Sequence, residues 1–173
     1  MIHYAISKHA KILFVGINPH YGSFRRGVPF SNNKMFWYLL ARSRIIREDL
    51  KALRNDEQLK RIYSEKFKNK YRLNFVNLVN RPTHDVSQLR KGEELSGVRR
   101  VNKLIRENKP RVVCFIGKIT YEKFSNTKQF SFGLQKDINY SKVYVMHFPI
   151  RGPASTRIKE LKEVSKMARL RTN

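Results

Sequence analysis

Residues with chemistry to offer gather in three short segments, each placed directly after a run that reads as a strand: Gly16 to Phe30, Asn77 to Thr83, and His147 to Thr156. Among the side chains they carry are the amides of Asn18 and Asn77, the imidazoles of His20 and His147, and the guanidinium of Arg151. An amide can read a carbonyl or an imide N–H, an imidazole can change charge near neutral pH, and arginine suits phosphate. Taken alone, Gly16-Ile17-Asn18-Pro19 is equally a turn, because Gly and Asn-Pro are ordinary turn formers. Asn77 alone is equally a turn cap, and His147 alone equally a structural histidine at a strand end.

Several chemistries are excluded or disfavoured. The single cysteine, Cys114, sits in the apolar run Val112-Val113-Cys114-Phe115-Ile116 and reads as a small core residue. An intrachain disulfide and a cysteine metal cluster are therefore impossible. The five histidines, His3, His9, His20, His84 and His147, show no short ligand spacing, so no metal and no cofactor is expected. Gly117-Lys118 at a strand end invites a phosphate-loop reading, but Val112 stands where such a loop needs its first glycine. Lys118 then suits a single phosphate contact at a helix start.

The elements that must position these residues follow from periodicity. Lys11 to Val15, Leu73 to Val79, Arg111 to Ile116 and Lys142 to Phe148 read as strands. Met35, Phe36, Leu39 and Leu40 have helical spacing, and a second amphipathic helix is predicted in the charged stretch up to Lys70. A long helix carries Val98, Val101, Leu104 and Ile105 on one face and stops at Pro110; a short one holds Tyr121 and Phe124. The last helix aligns Ile158, Leu161, Val164 and Met167, and Ser125 to Tyr140 reads as irregular. Strands alternating with helices predict right-handed crossovers and a mainly parallel sheet covered on both faces, with the site at the carboxyl ends of the strands.

The chain has 173 residues, which fits a single domain over residues 1–173. Thirty-seven Lys and Arg against 13 Asp and Glu give a formal charge of +24. So large an excess of one sign points to a polyanionic partner, nucleic acid first, with membrane-surface or ribosome association as the other readings of charge alone. The N-terminal residues lack the apolar core of a signal peptide, and no later run reaches a membrane-spanning length, so an intracellular protein, nucleoid-associated or nuclear, is expected.

Gly16-Ile17-Asn18-Pro19, then Gly27-Val28-Pro29-Phe30 and Phe36-Trp37, resemble the mismatch-specific uracil/thymine-DNA glycosylase family within the uracil-DNA glycosylase superfamily. Asn77-Leu78-Val79-Asn80-Arg81-Pro82-Thr83, Glu94, Gly97, Pro110 and Ile116-Gly117-Lys118 are similar to the same family in the same order, from residue 11 to about 157. The resemblance implies a three-layer α/β/α sandwich around a short, mainly parallel sheet. It also implies a monofunctional glycosylase acting as a monomer on DNA, duplex or single-stranded, flipping and excising a deaminated base, uracil above all. Rival bases are hypoxanthine, xanthine, thymine opposite guanine, and alkylated or etheno bases. A basic DNA-binding protein without turnover on the same scaffold is the alternative from another class.

By this resemblance Asn18 is the catalytic asparagine, holding through its amide oxygen a water that faces C1′ of the sugar. Gly16, Ile17, His20, Ser23, Phe30 and Asn77 would line the base pocket, with Phe30 stacking on the extruded base. His147 would touch the leaving base. Arg151, or else Arg157, would fill the gap left in the duplex, with Lys118, Gly152 and Ser155 on the DNA-facing surface. Three positions depart from the family pattern: His20 stands where the relatives carry glycine, and Phe148 and Ile150 stand where Asn or Met and then Ser are expected.

Overall fold

In the computed structural model, which describes residues 1–4 and 6–169, five strands form one sheet in the order β2-β1-β3-β5-β4. They are β1 (Ile12–Gly16), β2 (Leu73–Asn77), β3 (Val112–Ile116), β4 (Gly133–Ile138) and β5 (Ser141–Met146). All adjacent pairs are parallel except β4 with β5. The four parallel strands are apolar on both faces, as strands covered twice must be. Ile12, Phe14, Leu73, Phe75, Cys114 and Met146 enter one core cluster, whereas Leu13, Val15, Val76, Phe115 and Val145 enter the other.

On the first face lie α2 (Met35–Arg42) and α7 (Ala154–Arg169), which bury Phe36, Leu40, Leu161 and Val164. On the second lie α5 (Leu95–Asn108) and α6 (Lys118–Ser125), through Val101, Ile105 and Phe124. The result is the three-layer α/β/α sandwich around a mainly parallel sheet. Two short helices, α3 (Leu50–Arg54) and α4 (Asp56–Arg61), complete the first layer. No helix among the described residues is long and apolar enough to cross a membrane.

Two expectations need correction. The stretch up to Lys70 is not one amphipathic helix: α3 ends at Asn55, whose side chain accepts from Gln58 N and starts α4, and α4 widens into a π-helical segment, Ile62–Phe67. An Asx cap inside a periodic run overrides the period. The segment from Ser125 to Tyr140 holds β4, an edge strand. Its residues Gln135, Lys136 and Asp137 carry no apolar alternation, and its pairing is interrupted between Gln135 and Ile138, so the strand signal is erased where an edge has little to bury.

Helix α5 fixes the end of β2. A Cβ at Gly97 would lie 1.7 Å from Leu78 O, so the helix approaches the chain leaving β2 more closely than any side chain allows. Arg100, one turn further, donates to Asn77 O at 2.5 Å and to Asn80 Oδ1 at 3.2 Å. Gly97→Ala must therefore push helix from sheet, and is expected to lower stability by about 3 kcal/mol, read as a reduced urea midpoint at unchanged slope.

Candidate functional site

Parallel pairing of β1 and β2 does not stop at the sheet. Gly16 O, Ile17 O and Pro19 O accept from Leu78 N, Val79 N and Thr83 N at 2.9, 2.8 and 3.1 Å. The Gly16–His20 loop is thus zipped to the Leu78–Thr83 loop, and Asn18 projects from between them. Its Nδ2 donates to Thr83 Oγ1 at 2.7 Å, Arg81 O at 3.3 Å and Pro19 O at 3.4 Å. Two of these partners are carbonyls, which only accept, so the amide orientation is settled by chemistry. The Thr83 hydroxyl passes its own proton to Asp85 O at 2.7 Å, which leaves its lone pair for Asn18. Among the described residues every hydrogen bond of Asn18 uses Nδ2, and Oδ1 remains for a ligand or water.

The loop that follows is built around α1 (Tyr21–Arg26). His20 is its N-cap: the ring Nδ1 accepts from Gly22 N at 3.0 Å. Gly27, with φ 72°, closes the helix. Ser23 is buried and its hydroxyl accepts from Asn32 N at 3.0 Å. Trp37 Nε1 donates to Pro29 O at 2.7 Å. Beside that anchor Phe30 is held at φ 54°, an uncommon conformation for a residue with a Cβ. Its ring lies 4.8 Å from Phe36, 5.8 Å from Phe75 and 6.0 Å from Phe148. A strained residue locked among aromatic rings is the kind of position that surrounding structure retains for a ligand.

A cleft of about 600 Å³ opens at the carboxyl ends of the strands. Ile17, Asn18, His20, Ser23, Phe30 and Asn77 line it together with Lys118, His147, Arg151 and Arg157. Gly16 sits beneath, and its lack of a side chain is required, because a Cβ there would come 2.4 Å from Asn77 Oδ1. The three segments singled out in the sequence do converge.

Several residues at the site are held by contacts that the sequence does not announce. Asn77 is buried, and its Nδ2 donates to Tyr4 Oη at 2.7 Å, so one end of the amide is already committed. Burial pushes the Tyr4 phenol up to about 12, so it stays protonated. Arg157 is a correction: it is only 4% exposed and its guanidinium donates to Phe148 O and Pro153 O at 3.0 and 2.9 Å, so it shapes the loop instead of reaching DNA. Gly152 turns that loop at φ 79°, close against Arg157. Gly22 N–H belongs to His20, which removes it from any anion-binding group of amides.

Arg151 and Ser155 are exposed at the rim. Lys118, whose side chain is 60% exposed, stands 3.5 Å from Glu122 at the start of α6. His147 leaves β5 with its ring bound to Glu160. Thr83, Tyr4 and Glu160 received no role from the sequence. Thr83 lay inside a recognised segment, whereas Tyr4 and Glu160 carry no local signal.

These features define an α/β domain with a cleft of about 600 Å³, lined by aromatic, aliphatic and polar side chains, at the carboxyl ends of its parallel strands, in a chain with a large cationic excess. The model of the uracil DNA glycosylase superfamily matches residues 3–166, and the chain belongs to that superfamily. It is therefore a DNA glycosylase, a hydrolase of base excision repair whose substrate is DNA.

Two outcomes are expected from this geometry. Thr83→Val keeps shape but removes the hydroxyl that orients Asn18, and is expected to slow base release about tenfold, the worth of one hydrogen bond, without lowering the melting temperature by more than a few degrees. The second concerns His20, whose proton affinity is lowered from the ordinary 6.5 by burial, then by His84, Arg25 and Arg26. The unfolded chain takes up a proton that the folded one resists, so this contribution is complete above about pH 6.5 and declines as pH falls toward the lowered folded value. His20→Asn keeps a cap acceptor that does not titrate, and thermal unfolding should show a flatter loss of stability between about pH 7 and 5.

Proposed function

We propose that this protein is a monofunctional glycosylase that extrudes a deaminated base, uracil first and uracil opposite guanine included, from DNA into the cleft and hydrolyses its glycosidic bond. The observation that carries the reading is the orientation of Asn18: with Nδ2 tied to Thr83 and two carbonyls, Oδ1 is the end offered to a water. An amide is a poor general base, so the barrier falls mainly through departure of the base, with water adding to an electron-deficient C1′.

Phe30 supplies the stacking face, and Asn77, fixed by Tyr4, supplies hydrogen bonds to the base edge. Backbone N–H groups between Ile17 and Tyr21 and the ring of His147 stabilise charge developing on the base. Arg151 at the rim fills the space the base vacates, while Lys118 and Ser155 meet phosphates. No lysine nucleophile is invoked, so the product is an abasic site with an intact strand. The protein acts as a monomer. A mispaired base costs less to extrude, which favours U:G over U:A.

The test is a panel of labelled duplexes carrying U:G, U:A, T:G or hypoxanthine:T, with single-stranded uracil DNA alongside, each treated with alkali after incubation. Strand breaks that need alkali, and that Asn18→Ala reduces by about 100-fold or more while salt-sensitive DNA binding persists, are the expected result. Release of hypoxanthine or thymine in preference to uracil would reassign the base. Binding without release from any substrate would make this a DNA-binding protein on a glycosylase scaffold.

A further inference from the structure

A second cavity, of about 370 Å³, lies beside the cleft. Phe75 borders both, and the N-terminal residues divide them: Ile2 faces the cleft, whereas Met1 and His3 line the second cavity. Side chains alternate in this way along an extended chain. Tyr63 holds the partition, its Oη donating to His3 O at 3.0 Å, and Gly27 admits it closely, since a Cβ there would lie 3.2 Å from Met1 O.

Arg25, Arg26, Lys60 and Lys68 surround the second cavity, and among the described residues no carboxylate lines it. Asp56 occupies Arg26, Nε to Oδ2 at 2.9 Å, and pairs with Lys34 as well. Arg25, Lys60 and Lys68 have no ion-pair partner among the described residues. The floor is aromatic: Tyr63 and Phe67 lie 5.6 Å apart and pack against Trp37 at 6.1 and 5.4 Å.

Tyr63, Ser64 and Phe67 reach the cavity from the π-helical segment Ile62–Phe67. Bonding from i to i+5 sets residue 68 one turn from residue 63, whereas α-helical spacing would carry it round to another side. The widened turn thus brings the Lys68 ammonium to the side of the helix that Tyr63 and Phe67 face. Segments of this kind are rare and recur at functional sites.

Helix α1 leads from the cleft to the cavity. His20, its N-cap, lines the cleft, and Arg25 and Arg26, in its last turn, line the cavity. Tyr21 and Arg25 are both exposed and lie one turn apart, about 6 Å along the axis. A strand leaving the cleft over α1 meets an aromatic ring, then a guanidinium, then the cavity. Unpaired cations over an aromatic floor suit the phosphate and the flat ring of a nucleotide. A nucleotide within a duplex is already stacked and paired, so only an unpaired one has its ring to offer.

We propose that the second cavity is a subsite for an unpaired nucleotide of the lesion-bearing strand, with Arg25, Lys60 and Lys68 on its phosphate and Tyr63 against its ring. The inference rests on the reading of the cleft as the place where the damaged strand enters, and holds whichever base is excised there.

Single-stranded oligonucleotides carrying a tetrahydrofuran abasic analogue test it without excision, because they hold no base at the lesion to release. The strand is lengthened from one nucleotide on each side of the analogue, one residue at a time on the 5′ or the 3′ side, and binding is read by fluorescence anisotropy. Affinity is expected to rise about tenfold in a single step, at one length and on one side only, and the step should vanish when that flank is paired to a complement. Lys60→Glu/Lys68→Glu should remove the step. Lys162→Glu/Lys166→Glu, the same change of charge at exposed positions of α7, should keep it. In wild type, 4-thiothymidine at the step position should cross-link within residues 60–68, a measurement that needs no variant to fold. A smooth rise with length that both double variants weaken alike overturns the inference in favour of bulk charge, and a step that survives Lys60→Glu/Lys68→Glu or a paired flank overturns it as well. Thymidine 5′-monophosphate bound in the cavity with no step in the strand series would give the site to a free nucleotide, against the proposal. Protein that shows the step yet releases no base from any duplex keeps this inference and fails the excision reading.

Discussion

The pairing of two loops beyond the end of the sheet is the constraint on which the site depends. Strands β1 and β2 hand their register to Gly16–His20 and Leu78–Thr83, where three carbonyl-to-amide bonds continue the ladder without strand geometry. A loop tied this way has little freedom left, so backbone pairing sets where Asn18 enters the cleft and the Thr83 hydroxyl then orients its amide. The close approach of α5 at Gly97 and the Arg100 bonds hold the second loop against the first. Sheet, helix and site thus share one set of contacts, and a change that loosens α5 reaches Asn18 through the backbone.

Aromatic packing supplies the second wall. Phe30, Phe36 and Phe75 form a ring cluster whose inner members are buried and whose outer member, Phe30, borders the cleft. Phe148 joins it where the resemblance implied a small polar residue or methionine. The cleft is therefore more apolar on this side than the family pattern implied, while Asn18, Asn77 and His147 share the rest of its lining with His20, Ser23 and Thr83. Extra aromatic surface favours a flat ring, and hydrogen bonds from the polar lining choose among flat rings.

Much of this was legible in the sequence because the parallel strands are buried on both sides, so unbroken apolar runs marked β1, β2, β3 and β5 and the unusual residues after them marked the site. What escaped has physical reasons. Strand β4 lies at an edge and has no apolar pattern to show. Arg157 looked like a surface cation because its type usually is one; only the fold turns its guanidinium inward to two carbonyls. Tyr4 and Glu160 act on Asn77 and His147 across 73 and 13 residues, and no local spacing announces a contact that tertiary packing creates. His20 was noticed as a departure, yet its role as a helix cap depends on a ring nitrogen whose partner is visible only in three dimensions.

The loop from His147 to Pro153 has a further consequence. Arg157 grips two of its carbonyls and Gly152 turns its corner, so its backbone is ordered before DNA arrives. The entropy of shaping that segment is spent when the chain folds, and little of it is charged against association. A rim set in this way acts as a fixed template for the DNA that meets it. The work of fitting the two together then falls on the nucleic acid and not on the protein.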